Sequence, residues 1–174
     1  MTVTVARARP ADISELLAFW AAHAPTLTPT FQLPVDCAQW SATLLDPTTW
    51  WYTVREGCSL VAVITLARVT GPPWCSAEVG IGVAGTARGR GIGANSLRAL
   101  FATELGEPLH RIEALVDPAN TASTRMVAAA GMRWEGLSRA PVRIGDRRPD
   151  LGRWAVVADQ QPELRISLTT EDRP

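Results

Sequence analysis

The sequence predicts a mixed α+β domain with a mostly antiparallel sheet and helices on both faces. Three observations predict it. Strand-like segments come as hairpin pairs near both ends of the chain. A single β-α-β unit lies between them, so parallel pairing is confined to the middle. And 174 residues, 47% of them hydrophobic, suit one domain with a substantial core.

The elements follow in order. Val3 to Ala8 alternates apolar and polar residues and reads as a first strand. Pro10-Ala-Asp then opens a helix to about His23, with Leu16, Leu17 and Trp20 at helical spacing. Thr26 to Pro34, rich in Pro and Thr, is a loop, and Val35 to Leu45 a second helix. "TWWYTVRE" and "SLVAVITLARV" are two strands joined at Glu56-Gly57. "SAEVGIGVA" is a further strand. From Arg90 a helix runs to about Leu105, with Leu97, Leu100, Phe101 and Leu105 on one face. "RIEALVD" is the next strand, and Asn120 to Ala130 a short helix stopped by Gly131. "MRWEGLSRAPVR" and "RRPDLGRWAVVA" close the domain as a hairpin around Ile144-Gly145-Asp146. The domain is expected over residues 1–159, followed by a polar tail over 160–174.

Composition removes several functions. The formal net charge is zero, so nothing global points to nucleic acid or an anionic membrane as partner. All 17 basic residues are Arg. Without Lys there is no Walker-type phosphate loop and no Schiff base. Cys37, Cys58 and Cys75 have no metal-ligand or disulfide spacing, and a reducing cytosol is their simplest setting. With only His23 and His110 besides, no metal site and no His-based triad is expected. "MTVTVARARPADI" has no apolar run, so a signal peptide is not expected, and no stretch of about 18 apolar residues suggests a membrane span.

Chemistry concentrates in "EVGIGVAGTARGRGIGAN", Glu78 to Asn95. Gly80 to Gly85 and Gly89 to Ala94 both match dinucleotide fingerprints. The first has its glycines inside a strand. The second precedes a helix, but a dinucleotide fold needs more parallel units than this chain holds. Read as one unit, the segment is a strand, a loop and a helix start. Its glycines let backbone N–H groups converge, the helix dipole attracts an anion, and Arg88 and Arg90 add charge. That is a pyrophosphate cradle.

On these residues the chain resembles the GNAT superfamily of acyl-CoA N-acyltransferases. "RGRGIGANSLRALF" is similar to its pyrophosphate loop, with Arg88, Gly91 and Gly93 at the defining positions. "VDPANTASTRMVAAAGMRWEG" resembles the ribosomal-protein N-acetyltransferase (Rim-type) branch at Asn120, Ser123, Gly131-Met132 and Glu135-Gly136. The resemblance implies a splayed GNAT-like sheet, with pantetheine in the gap between the strand ending at Val83 and the one ending near Asp117, and transfer of an acetyl group from acetyl-CoA to a primary amine, by direct attack in a ternary complex. The acceptor would be a small molecule or a protein N-terminus, and a homodimer is compatible with it. It also implies cofactor contacts from Ile81, Gly82 and Val83 and from Arg88, Gly89, Arg90, Gly91, Ile92, Gly93 and Ala94. Asn120 and Ser123 would contact pantetheine, Ser123 close to the sulfur. An acyl-CoA-binding module without catalysis is the alternative reading.

Each of the catalytic candidates Glu78 and Ser123, and the pantetheine contact Asn120, has two readings. Glu78 is either the base that takes the amine proton or a strand-end carboxylate paired with an Arg. Asn120 is either a pantetheine contact or the cap of its helix. Ser123 is either a donor to the departing sulfur or bonded within its own helix. The Tyr donor of many GNAT enzymes falls at Val127 here. Arg139 and Arg143 stand in a strand where some Rim-type members place an acid, and either face the acceptor or solvate the hairpin. Trp20, Trp50, Trp51 and Trp74 either line an acceptor pocket or fill the core.

Overall fold

The computed structural model describes residues 3–27, 33–106 and 109–158. Seven strands form one sheet: β1 (Val3–Arg7), β2 (Trp50–Glu56), β3 (Ser59–Ala67), β4 (Ser76–Val83), β5 (Arg111–Val116), β6 (Arg133–Ser138) and β7 (Leu151–Val157), in the order β1-β2-β3-β4-β5-β7-β6. Only β4 and β5 are parallel. The α-helices among the described residues are α1 (Ile13–His23), α2 (Cys37–Leu44), α3 (Ile92–Glu104) and α4 (Thr121–Ala129). The α+β architecture with one central β-α-β unit, here β4-α3-β5, is therefore the one found. The polar tail and most of the Pro- and Thr-rich loop lie outside the described residues.

Pleating assigns the faces. Trp51 points to α2, where its ring meets Trp40 at 5.0 Å. Its neighbour Tyr52 points to the opposite face, toward Glu104 of α3. Ile64 pairs with Tyr52 and Ile81 pairs with Ile64, so Val79, Ile81 and Val83 share the α3 face. Glu78, Gly80 and Gly82 consequently point to the α1/α2 face. Both faces are packed: Leu16 and Trp40 on one, Leu97, Leu100 and Phe101 on the other, are at most 1% exposed. Burying side chains of this size contributes roughly 1.5–3 kcal/mol each.

The tryptophans do not converge on a pocket. Trp40 and Trp51 are core, Trp20 packs against the core, Trp50 carries the Arg7 guanidinium over its ring, and Trp74 is exposed in a loop. The closing hairpin is shorter than expected. Its ladder stops at Ser138–Leu151, and residues 139–150 form a loop with an isolated bridge between Ile144 and Arg147. Ala140 has φ 45° and Pro141 lacks an N–H, which together end the strand.

The Glu-Gly pair has a local reason. β6 carries a bulge between Trp134 and Gly136, and Gly136 adopts φ 135°. The bulge frees Glu135 to reach past β7 to β5, where it accepts from both terminal nitrogens of Arg111, one at 2.8 Å. Arg111 and Arg153 also donate to Glu113, at 3.3 and 2.7 Å. Hydrogen bonds from Arg111 hold Glu135 below its ordinary pKa, with burial opposing. A lowered pKa means the folded state favours the carboxylate. The pair's stabilisation is then present above the unfolded value of 4.5 and lost as pH falls through the folded value. The partners are part-exposed, so the contribution is about 1 kcal/mol. Glu135→Gln is expected to lower Tm at pH 7 by about 2–4 °C and to narrow its gap to wild type near pH 3. Thermal melts at both pH values measure this.

Candidate active site

The parallel ladder between β4 and β5 is short. It joins Ser76 to Arg111, Ala77 to Ile112 and Glu78 to Glu113, then stops. Beyond it β4 stays with β3 as far as Val83, and β5 stays with β7 as far as Val116. The sheet splits into a V with Glu78 at its base.

The walls of this V are strand edges that pair with no other strand. Ala84 N–H donates to Val61 O, which fixes the alternation along β4. Residues in step with Ala84, namely Gly82 and Gly80, bond to β3. Ile81 turns its N–H and C=O to the open side, and Val83 does too, its C=O there accepting from Arg88 Nε. The bond from Ala158 N–H to His110 O fixes β5 likewise, and Leu115 faces the V from across. Strand edges of this kind pair with an extended ligand.

A cavity of about 630 Å³ runs from this edge to the start of α3. The loop there is built on two left-handed glycines, Gly89 at φ 71° and Gly91 at φ 77°. Gly91 is the N-cap of α3 and provides no side-chain cap. The first N–H groups of a helix have no partner within it, so here they face the cavity with the positive helix end behind them. Arg88 lines the same opening, and its Nε donates to Val83 O at 3.1 Å. Gly93 has a different reason. A Cβ there would run into the sulfur of Met126, so this glycine lets α3 and α4 close together.

Most of the expected contacts converge. Ile81, Val83, Arg88, Gly89, Gly91, Ile92, Gly93, Ala94, Asn120 and Ser123 all line the larger cavity. Gly82 and Arg90 do not. Gly82 is turned to the α1/α2 face and buried. Arg90 donates to Glu56 at 2.7 Å. Arg125 is a cation on the cavity wall that sequence reasoning missed. Its signal was helical spacing: Ala122, Arg125, Met126 and Ala129 form one face of α4, and the two alanines leave the groove open.

A second cavity of about 320 Å³ shares Ile81, Asn120, Ser123 and Met126 with the first and carries Glu78 and Arg68 on its wall. Arg68, in a left-handed conformation at φ 53°, donates to Glu78 at 3.1 Å. Asn120 caps α4, its Oδ1 accepting from Ser123 N–H at 3.1 Å, which leaves its amide N–H₂ for a ligand. Ser123 differs from Ser96, whose hydroxyl donates within its helix to Ile92 O at 2.8 Å. Among the described residues the Ser123 hydroxyl has no such bond. Val127 is buried on the second cavity's wall. Tyr52, the only tyrosine, is 3% exposed in the core, where burial raises its pKa. Arg139 and Arg143 line neither cavity. Val142 and Ile144 do, and Arg143 turns outward to Asp146 and Gly145 O.

The model of the acetyltransferase (GNAT) domain matches residues 3–133, about three quarters of the chain. The chain belongs to the GNAT family. Solved structures with the same fold include Mycobacterium smegmatis RimJ in complex with CoA-disulfide, at 24% identity and TM-score 0.78, covering 92% of this chain and 84% of that one. Ribosomal-protein-S5-alanine acetyltransferase from Vibrio fischeri aligns at 18% and 0.78, over 91% and 94%. A chimera of the Vibrio cholerae spermidine N-acetyltransferase SpeG with hSSAT aligns at 16% and 0.77, over 92% and 98%. No curated protein sequence matches the chain. Among the described residues no helix is long and apolar enough to cross a membrane. The mixed sheet, the split between β4 and β5 and the glycine loop are thus the GNAT framework.

Proposed function

We propose that this GNAT protein transfers an acetyl group from acetyl-CoA to a primary amine in a ternary complex. The observation that carries the reading is the pair of cavities joined through the V. One has a cationic, glycine-lined end suited to a pyrophosphate, and the other has a carboxyl group where an amine would arrive. The fit to the cosubstrate rests on three features of the chain. The uncapped start of α3, with Arg88 and Arg125 beside it, suits the phosphates. The open edge at Ile81 and Val83 suits the pantetheine amides. The amide of Asn120 supplies a further donor. Gly82 and Arg90 are left out of this set.

Acetyl-CoA supplies an activated acyl carbon and a thiolate leaving group. The amine nitrogen bonds to that carbon as the carbon–sulfur bond breaks. A protonated amine cannot attack, and free amines have pKa values of about 8 to 10.4. Glu78 takes the departing proton, directly or through water. Charge growing on the carbonyl oxygen is met by a backbone N–H of the open β4 edge, that of Ile81. The thiolate receives a hydrogen bond from Ser123, one helical turn from Asn120 on the same face. Arg68 keeps the Glu78 carboxyl at the base of the V.

Ser123→Ala removes the hydroxyl and little volume. It is expected to leave the fold and acetyl-CoA affinity unchanged and to lower kcat about tenfold, equal to about 1.4 kcal/mol of barrier. Stopped-flow CoA release and a melting curve on one variant measure both. A full-rate enzyme removes Ser123 from the mechanism. The reaction itself is tested by CoA release from acetyl-CoA with a panel of amines. Tight binding of acetyl-CoA without release favours the non-catalytic module.

A further inference from the structure

We infer that the acceptor is a small primary amine with a single ammonium group and an aliphatic or aromatic body. The inference rests on the acetyltransferase reading and deepens it. It comes from the part of the second cavity that opens on the α1/α2 face. On the β4 side stand Glu78 and Gly80. The glycine has no side chain, so the floor beside the carboxyl group is open. On the far side stand Leu115 of β5, Leu151 of β7, and Val142 and Ile144 from the loop after β6. Strand register puts Leu115 and Leu151 on the same face as Glu78. The loop alternates, turning Val142 and Ile144 inward and Arg143 out. On this side of the V one wall is therefore acidic and the other aliphatic, and the cavity of about 320 Å³ continues through the V to α3 and α4.

Formal charges on the lining are two carboxyl groups, Glu78 and Asp117, and one guanidinium, Arg68. The balance is one negative charge, which one ammonium neutralises. A polyamine would bring further charges to face Leu115, Leu151, Val142 and Ile144, aliphatic side chains that cannot pair them and against which desolvation opposes them. A hydroxyl-rich amine would leave the same wall unmatched. An alkyl or aryl amine places nitrogen at Glu78 and carbon on the aliphatic wall.

The test uses the whole chain with acetyl-CoA and reads CoA release for ethylamine, butylamine, hexylamine and phenethylamine, against spermidine, ethanolamine and a Ser-Ala-leading peptide. Along the alkyl series kcat/KM is expected to rise about three- to fourfold per buried methylene, the equivalent of about 0.8 kcal/mol, until the cavity is filled. Phenethylamine should exceed ethanolamine and spermidine by at least roughly tenfold. Ile144→Asp should flatten the series by raising KM for the longer amines, with acetyl-CoA binding by calorimetry confirming a folded protein. A flat series in the wild type, or preference for spermidine or the peptide, overturns this inference and leaves acetyl transfer standing. No release with any amine, while acetyl-CoA still binds, overturns the transferase reading and this inference with it.

Discussion

Gly91→Asp is expected to abolish acetyl-CoA binding while the domain stays folded. Gly91 caps α3 at φ 77°, a conformation that costs a residue with a Cβ about 1–2 kcal/mol. A domain with 5–15 kcal/mol of stability tolerates that. Space is no obstacle, because the nearest atom to an added Cβ is Asn95 Nδ2 at 3.8 Å. The effect on binding is electrostatic. A carboxylate at the start of α3 competes for the N–H groups offered to a phosphate and stands near its charge. Two like charges about 4 Å apart repel by about 4 kcal/mol at an effective dielectric of 20. Solvent at this open loop reduces that, so a loss of about 100-fold or more in affinity is expected by calorimetry. Gly91→Ala carries the strain without the charge and should stay within about tenfold of wild type. Equal losses in both variants would assign the role of Gly91 to backbone shape. Unchanged affinity in the Asp variant would remove the cradle assignment.

What was legible in the sequence follows the range of the interactions involved. The strands, the helices and the glycine loop are local, and alternation, helical spacing and turn residues were enough to place all but the ends of the closing hairpin. The V is not local. It depends on β4 and β5 parting after Glu78–Glu113 while each keeps its outer partner, and no single segment encodes that register. Arg90 shows the same limit. Beside Arg88 it looked like a second cradle cation, yet its partner is Glu56, 34 residues earlier on β2. Gly93 was assigned to the cradle and does line it, but its reason for being glycine is Met126 on α4. Arg139 and Arg143 were weighed as acceptor contacts on the assumption of a continuous strand. Once Ala140 and Pro141 end that strand, the alternation restarts in the loop and turns Val142 and Ile144 inward. The proposed acceptor wall was therefore hidden behind a secondary-structure boundary.

Glu78→Gln is expected to lower kcat by about 10²- to 10⁴-fold, the range for a lost general base, with acetyl-CoA affinity little changed. The motivation is position. Glu78 is the last residue of the parallel ladder, it lines the acceptor-side cavity, and its side chain is 31% exposed, so an incoming amine and a water can reach it. The amide keeps the length and still accepts from Arg68, so geometry is preserved and only the capacity to take a proton is lost. The competing role for Glu78 is to anchor Arg68. That pair contributes little, because the Arg68 side chain is 78% exposed and solvent screens it. Arg68→Gln separates the two roles. If Glu78 is the base and Arg68 its guide, the Arg68 variant loses part of kcat and keeps its Tm, while the Glu78 variant loses nearly all of kcat. If the pair is only structural, both variants turn over at the wild-type rate, and the amine gives its proton to bulk water. Single-turnover rates at saturating acetyl-CoA for wild type and both variants decide the matter, since they exclude product release from the comparison.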